Sequence, residues 1–369
     1  MGGLSGSEAL TPHGSTLSKY GHPLPYPEHM AGMARATMKD VAALAGVSPK
    51  TVSNVVTGTV FVRPETVERV QAAMAELRFV PNLSARGLRN GRSGTIAVAL
   101  PDLATPFSAD LLHHIVEVAH ERGFAVQVEE TAAEPGREEE LLSRARAHLI
   151  DGLILNPIRL EDSVVEHTEH LPPVVLIGEV EQQLTDRVLI DSRRASRDIA
   201  RHLIARGARR IAVVGGDTER AEVATATSRV RLAGHLDGLA EAGIVRDQAL
   251  EIDPFPWTTA AGAAAVDELI GRGVRFDAVV AFTDSLAIGV LHALHARGVR
   301  VPEDVLVTGF DDVELSAYAS PALTTVRLDR RAFAEEALRL LEDRMSARTA
   351  PPRAVTVPYE IIVRASTEV

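Results

Sequence analysis

Five times along this chain a helical stretch stops at a glycine and an apolar run follows at once: Arg122-Gly123-Phe124, Arg206-Gly207-Ala208, Ala242-Gly243-Ile244, Arg272-Gly273-Val274 and Arg297-Gly298-Val299. Glycine just past a helix end supplies the left-handed backbone that closes the helix, and the apolar run after it reads as a buried strand. Repeated, the device dictates alternating helix and strand, hence parallel sheets covered by helices on both faces. Strand candidates lie at 95–100, 124–129, 152–156, 174–178, 187–190, 210–215, 277–282, 304–309, 324–328 and 354–364. They spread over roughly 275 residues, more than a single core sustains. Two doubly wound subdomains with a cleft between them are therefore expected over 94–369, with chain crossings near 191, 323 and 353. Ligands of such sheets gather at the carboxyl ends of the strands.

The stretch before this region has a different texture. Thr37-Met38-Lys39-Asp40 opens a helix as a capping box, with Asp in place of the usual Glu or Gln. Val41, Leu44 and Ala45 form its apolar side, and Gly46 ends it. Ser48 then caps a second helix with Pro49 in its first turn. Val52, Val55 and Val56 share one face of that helix, while Lys50 and Asn54, four residues apart, share the other. A third helix starts at Pro64 with Val67, Val70, Met74 and Leu77 in one stripe. Helix, glycine turn and helix make a helix-turn-helix over 35–81, with Leu44, Val52, Val55, Val70 and Leu77 as its expected core. Lysine suits the acceptors of guanine and asparagine the edge of adenine. Alone, Ser48 to Val56 reads equally well as an ordinary surface helix, and its flanks decide for a DNA reader.

Charge supports that choice. The chain carries a net −11, yet residues 35–93 hold nine Lys or Arg against four Asp or Glu. A basic module on an acidic body points to a polyanion met by the module alone. Residues 82–93 form a short basic linker containing Leu83 and Leu88, broken by Gly87 and Gly91 and too weak to be a helix by itself. Residues 1–34, rich in Gly, Pro, Ser and His, are expected to be a disordered extension or leader, with Met30, Met33 and Met38 all plausible starts. No apolar run is long enough to cross a membrane, no secretory signal is visible, and there is no cysteine. A cytoplasmic, nucleoid-associated protein is expected.

The residues now resemble a known family. Thr37 to Ala42, Gly46-Val47-Ser48, Thr51-Val52-Ser53, Arg63 to Thr66 and Pro81-Asn82 through Arg92-Ser93 resemble the head of the lactose/galactose repressor family of bacterial transcription regulators. Ser228 to Gly234, Phe282-Thr283-Asp284, Gly309 to Asp312 and Pro321 to Val326 resemble its core, so the likeness covers about 37–368. It implies an all-α helix-turn-helix head joined to an α/β core of two doubly wound parallel-sheet subdomains, of periplasmic-binding-protein type. It implies that Pro49, Lys50 and Asn54 read bases. Thr37, Ser48, Thr51 and Ser53 would touch or approach phosphates, which sets register rather than sequence. Asn82, Ala85, Arg86, Leu88 and Arg92 would belong to a hinge helix that orders on DNA, Leu88 being the wedge that opens a base step. Phe107, Asp191, Arg231, Trp257, Asp284 and Asp311 would line the effector pocket, where a bidentate arginine, a carboxylate and an aromatic plate suit a small polar ring. The partners implied are a near-palindromic double-stranded operator, a small-molecule effector and a second copy of the chain in a homodimer.

Several positions depart from that pattern. Thr57 and Arg78 stand where asparagine and glycine are common, so the third helix is expected to end without its left-handed glycine. Ser108, Ser192, Thr283 and Leu328 remove stacking or hydrogen-bonding groups from the implied pocket, which argues against a common sugar though not against a ligand. His292 and His295 read as solvated helix histidines without a third metal ligand, so no metal and no cofactor is expected. Val213 to Gly216 lacks the full dinucleotide fingerprint, and no Gly-x-Ser-x-Gly elbow or Walker loop is present. An enzyme is not expected. The alternative, a soluble sugar-binding protein without a DNA role, calls for a signal peptide and no basic head.

Overall fold

The computed structural model describes residues 36–57, 60–79, 93–147, 149–157, 172–180, 182–216, 225–347 and 350–368. The expected leader over 1–34 and the hinge positions Asn82, Ala85, Arg86, Leu88 and Arg92 lie outside the described residues. The chain divides into two compact units, Met1–Asn82 and Leu83–Val369.

In the first unit α1 (Met38–Ala45), α2 (Pro49–Thr57) and α3 (Pro64–Glu76) enclose a small core. The capping box of α1 is closed in both directions: Asp40 N–H donates to Thr37 Oγ1 at 3.3 Å, and Thr37 N–H donates to Asp40 Oδ2 at 2.8 Å. Gly46, at φ 63°, ends the helix and lets Val47 N–H reach Ala42 O at 3.0 Å. Val41, Ala42, Ala45, Val52, Val70 and Ala73 are buried, with Val55, Val56, Met74, Leu77 and Phe79 packed against them. Leu44 is not in this core; it is 46% exposed. It sits roughly 100° round the helix from Ala45, outside the arc that α2 and α3 cover. The third helix ends, as expected, without a glycine: Arg78 closes it. It takes the left-handed turn itself, at φ 46°, although a side chain there costs roughly 1–2 kcal/mol. The turn brings Phe79 N–H to Met74 O at 2.8 Å and its ring onto the core.

The second unit begins with β1 (Thr95–Leu100), α4 (Pro106–Glu121), β2 (Ala125–Glu130), α5 (Pro135–Arg146), β3 (Gly152–Leu155), β4 (Val174–Ile177) and β5 (Asp186–Ile190). It continues with α6 (Ser192–Ala205), β6 (Ile211–Val214), α7 (Ala226–Glu241), β7 (Glu251–Ile252), α8 (Thr259–Gly271), β8 (Ala278–Ala281), α9 (Asp284–Ala296) and β9 (Leu306–Thr308). It closes with α10 (Glu314–Tyr318), β10 (Thr325–Leu328), α11 (Arg330–Ser346), β11 (Ala354–Val357) and β12 (Tyr359–Ile362). All five glycine joins have positive φ, between 68° and 100°. Two parallel sheets result, ordered β11-β5-β4-β3-β1-β2 and β7-β6-β8-β9. The antiparallel pair β10 and β12 adjoins the second sheet through the bridges Thr308 to Thr324 and Asp311 to Arg327.

The chain passes between the two lobes after β5, after β10 and after β11. The second and third passages come later than 323 and 353, because β10 and β11 each finish within their own lobe first. The run 354–364 is likewise two strands rather than one. Ala354–Val357 pairs with β5 and Tyr359–Ile362 with β10, and Pro358, which has no N–H to give a ladder, separates them. One apolar cluster runs through both lobes, from Ile96 and Ile177 to Phe282 and Phe310.

Two helix pairs approach each other closely enough to exclude any side chain at the crossing. A Cβ on Gly234 of α7 would lie 1.9 Å from Arg193 O, and one on Gly289 of α9 would lie 1.9 Å from Thr259 O. Gly271, at the end of α8, has open space around its Cα. Gly289→Ala is expected to destabilise the core by roughly 1–3 kcal/mol or more, and Gly271→Ala to leave it unchanged or raise it by about 0.4–1 kcal/mol. Urea unfolding of the two variants checks both.

Candidate functional site

In the head, α2 presents its first turn to solvent. Ser48, Pro49 and Lys50 are exposed, Thr51, Ser53 and Asn54 are half-buried, and Val52 is fully buried. Ser48 Oγ accepts Thr51 N–H at 3.1 Å and lies 2.9 Å from Thr51 Oγ1, so the cap fixes where Lys50 projects. The hydroxyl of Thr37 donates to Asp40 Oδ2 at 2.7 Å, and this bond holds the Asp40 carboxyl below its ordinary range. Thr37 Oγ1–H can therefore donate to a phosphate only after leaving Asp40. An exposed helix N-terminus with a lysine and an asparagine one turn apart can enter a major groove and offer donors to base edges.

In the core, three of the implied pocket residues, Arg231, Asp284 and Asp311, come from the segments that follow β6, β8 and β9. Arg231, on α7, is only 7% exposed. Its guanidinium donates to the carbonyl of Phe282, sits 3.5 Å above the centre of the Phe310 ring and lies 3.8 Å from Asp311 Oδ1. Asp311 and Asp312 both have left-handed backbones, at φ 115° and 52°, a conformation that needs support from its surroundings. Asp312 gets it from Arg327 at 2.6 Å and Arg364 at 2.7 Å. Asp311 is fully enclosed. Burial pushes its carboxyl up to about 8, with Arg231 drawing it down and Asp284 raising it further.

Asp284 belongs to the same cluster but not to its open side. It is 0% exposed, and its carboxylate accepts Val313 N–H at 2.9 Å, Ser316 Oγ at 2.6 Å and Thr325 Oγ1 at 2.6 Å. Burial raises its carboxyl to about 6, against those three donors. This carboxylate ties α9 to the turn before α10 and to β10. Trp257 donates Nε1–H to Asp253 at 3.1 Å and meets Phe282 edge-on, with ring centres 6.3 Å apart. Phe107 is half-buried at the start of α4, against the cluster that both lobes share. Asp191 caps α6, accepting Arg194 N–H at 2.9 Å, and remains exposed.

Beside the first crossing lies a pocket of about 440 Å³, lined by Glu179, Arg187, Asp191, Ser192, Arg229 and Thr356 among others. Glu179 was missed in the sequence. It follows β4 directly, takes a hydrogen bond from Ser192 Oγ, and feels Arg231 of the opposite lobe. Burial pushes its carboxyl up while Arg231 and the Ser192 hydroxyl pull it down. Its place at the carboxyl end of a strand was the available signal. The departures found in the sequence have local uses. Ser192 binds Glu179, Thr283 caps α9 by accepting Leu286 N–H at 3.3 Å, Ser108 accepts the Thr105 hydroxyl at 2.8 Å, and Leu328 is buried. Among the described residues no group of three His, Cys, Asp or Glu could hold a metal, and no helix is long and apolar enough to cross a membrane.

Residues 37–82 match the family described as bacterial regulatory proteins, lacI family, and residues 200–367 match a periplasmic binding protein-like domain. The HTH-type transcriptional repressor CytR of Escherichia coli (strain K12) is 31% identical over 334 residues, covering 90% of this chain and 96% of that protein. The HTH-type transcriptional repressor PurR of Photobacterium profundum is 29% identical over 335 residues, covering 90% and 98%. Among solved structures, the lac repressor dimer bound to operator and the anti-inducer ONPF is 28% identical with a TM-score of 0.76, covering 91% of this chain and 100% of that one. A transcriptional regulator CelR–cellobiose complex is 31% identical with a TM-score of 0.66, covering 90% and 100%.

The raised carboxyls of Asp311 and Asp284 each contribute a stability that falls as pH rises. Folded Asp311 keeps its proton up to about 8, whereas the unfolded chain releases it near 3.8. The folded state therefore binds the extra proton between these limits, and stability falls as pH rises through them. Asp284 adds the same sign between 3.8 and about 6. Asp311→Asn is expected to flatten the alkaline part of this decline, as read from urea midpoints across the range.

Proposed function

The chain belongs to the lacI family of bacterial regulatory proteins, and we propose that it is a transcriptional repressor whose head reads operator DNA under the control of a small molecule in its core. The observation that carries this reading is the union, in one chain, of a capped helix-turn-helix with Lys50 bare and a two-lobed core gathering Arg231, Asp311 and Glu179 at its strand ends. A sugar-binding protein without a DNA role has no use for the first, and the family match over 37–82 speaks against it. The relatives named above are regulators rather than enzymes.

In this reading Pro49, Lys50 and Asn54 touch bases, while Ser48, Thr51, Ser53 and Thr37 meet phosphates. Asn82, Ala85, Arg86, Leu88 and Arg92 form the hinge that orders on DNA, with Leu88 wedged into the minor groove. Two copies pair so that two heads read a near-palindromic operator; the lac repressor structure is described as a dimer on operator. The protein works in the cytoplasm, where its DNA is. The effector is a small polar molecule; the CelR structure is described as a complex with cellobiose. It meets Arg231, Asp311, Trp257 and Phe107, with Glu179 and Asp191 at the crossing, while Asp284 keeps the C-terminal lobe in shape. Bound there, it shifts the balance between two lobe arrangements, only one of which lets both hinges order.

Binding-site selection with the full chain should return a two-fold related sequence. Lys50→Ala and Asn54→Ala should each relax one base pair per half-site by roughly 1–3 kcal/mol, and unchanged preferences would remove them as readers. In a thermal-shift panel of sugars and nucleosides, a true effector should raise the melting temperature and change Trp257 fluorescence. A hit that binds while the emission stays constant takes Trp257 out of the pocket.

A further inference from the structure

The residues that surround the effector site are joined to the start of the core by a single helix. Arg330 opens α11, and its Nη2 donates to the carbonyl oxygens of Asp311 and Asp312, the latter at 3.0 Å. The same guanidinium lies 3.8 Å from Asp110 of α4. The turn it grips cannot give way locally, because both aspartates are left-handed and Asp312 is held by Arg327 and Arg364. The Asp311 side chain also faces Arg231. Movement of this turn therefore pulls on Arg330.

The helix behind Arg330 is stiff. Asp329 caps it by accepting Ala332 N–H at 2.9 Å, and Ala334, Ala337, Leu338, Leu340 and Leu341 are all fully buried. Eleven residues on, some 17 Å along the axis, Leu341 and Met345 lie directly over Gly152. A Cβ on Gly152 would stand 2.8 Å from Leu341 Cδ1 and 3.0 Å from Met345 Cε. The residue before Gly152 is Asp151. Its carboxylate accepts Ser93 N–H at 2.5 Å, Ser93 Oγ–H at 3.0 Å and Gly94 N–H at 2.7 Å. Its own N–H donates to Thr95 O at 2.7 Å. Gly94, at φ 72°, makes the turn that lets one carboxylate collect three donors. Ser93 directly follows the basic segment that joins the core to the head.

We propose that α11 is the lever by which the state of the effector site reaches the point where the chain leaves the core for the head, with Arg330 as its input contact and Asp151 as its output contact. Neither residue touches DNA or effector in this scheme; both are positioning residues. The inference rests on the repressor reading above. It adds a physically continuous route: the 311–312 turn, Arg330, α11, Gly152 and Asp151, then Ser93 and Gly94. Rigid elements in close contact are what such coupling requires, and energetic coupling between the two ends is what demonstrates it.

The test uses the full chain, the operator duplex recovered by selection with the wild type, and a random duplex of equal length. Arg330→Met and Asp151→Asn are each expected to lower the operator-over-random affinity ratio roughly 3- to 30-fold, with random-duplex affinity and melting temperature kept. The double variant should lose no more than the worse single one, because both act on one route. Ser93→Ala, which removes one of the three donors, and Arg330→Lys, which keeps the charge but not the fork, give smaller losses and serve if a stronger variant fails to fold. Unchanged ratios in the single variants, or losses that multiply in the double, overturn the lever. If selection with the wild type recovers no sequence, the repressor reading itself falls, and the lever with it.

Discussion

A guanidinium closed off from water must find its partners inside the protein, and those of Arg231 hold the ligand side of the core together. It takes the carbonyl of Phe282 at the end of β8, the face of Phe310 after β9 and the carboxyl of Asp311 in the turn beyond. Two strand ends are thereby referred to one side chain. A buried arginine is strongly destabilising if its partners are removed singly, so these groups must move together or not at all. That property suits a site that converts binding into rigid motion. The raised carboxyls of Asp311 and Asp284 are the electrostatic counterpart of the same enclosure.

The lobes around this site owe their rigidity to close helix crossings. Glycine at 234 and 289 lets α6 meet α7 and α8 meet α9 backbone against side-chain-free backbone. Deformation inside a lobe is costly when packing is this tight, which leaves motion at the three chain passages between lobes. At the first of them Glu179 and Ser192 are hydrogen-bonded to each other, and at the second Arg330 holds the 311–312 turn. Polar contacts that can exchange partners sit where movement is needed, and interlocked apolar contacts where it is not.

Most of the architecture was legible because it rests on local rules. The five glycine joins need a left-handed residue and a following strand, and both are visible in the letters. The head was legible from its caps and its stripe of valines. What escaped depends on distance across the fold. Leu44 has the spacing of a core residue, but only the placement of α2 and α3 decides which arc of α1 is covered. Arg78 shows that a tertiary contact, Phe79 on the head's core, can force a left-handed turn on a residue that disfavours it. The run 354–364 is uniformly strand-like, and only its partners reveal that Pro358 divides it between two sheets. In the site, resemblance named Asp284 from its motif, whereas its three internal donors come from residues 29 to 41 positions away. Glu179 carries no motif at all and gains meaning only when Arg231 is brought opposite it.

The division at Pro358 reaches back to how the protein is made. The first lobe takes its edge strand β11 and its covering helix α11 from the far end of the chain, after β6 to β10 of the second lobe. During synthesis the head leaves the ribosome early and has a complete core of its own, while the first lobe stays unfinished until residue 357 has emerged. For most of its time on the ribosome the nascent protein is therefore a finished DNA reader attached to an unfinished sensor. Control by the sensor begins only when the last strands are in place.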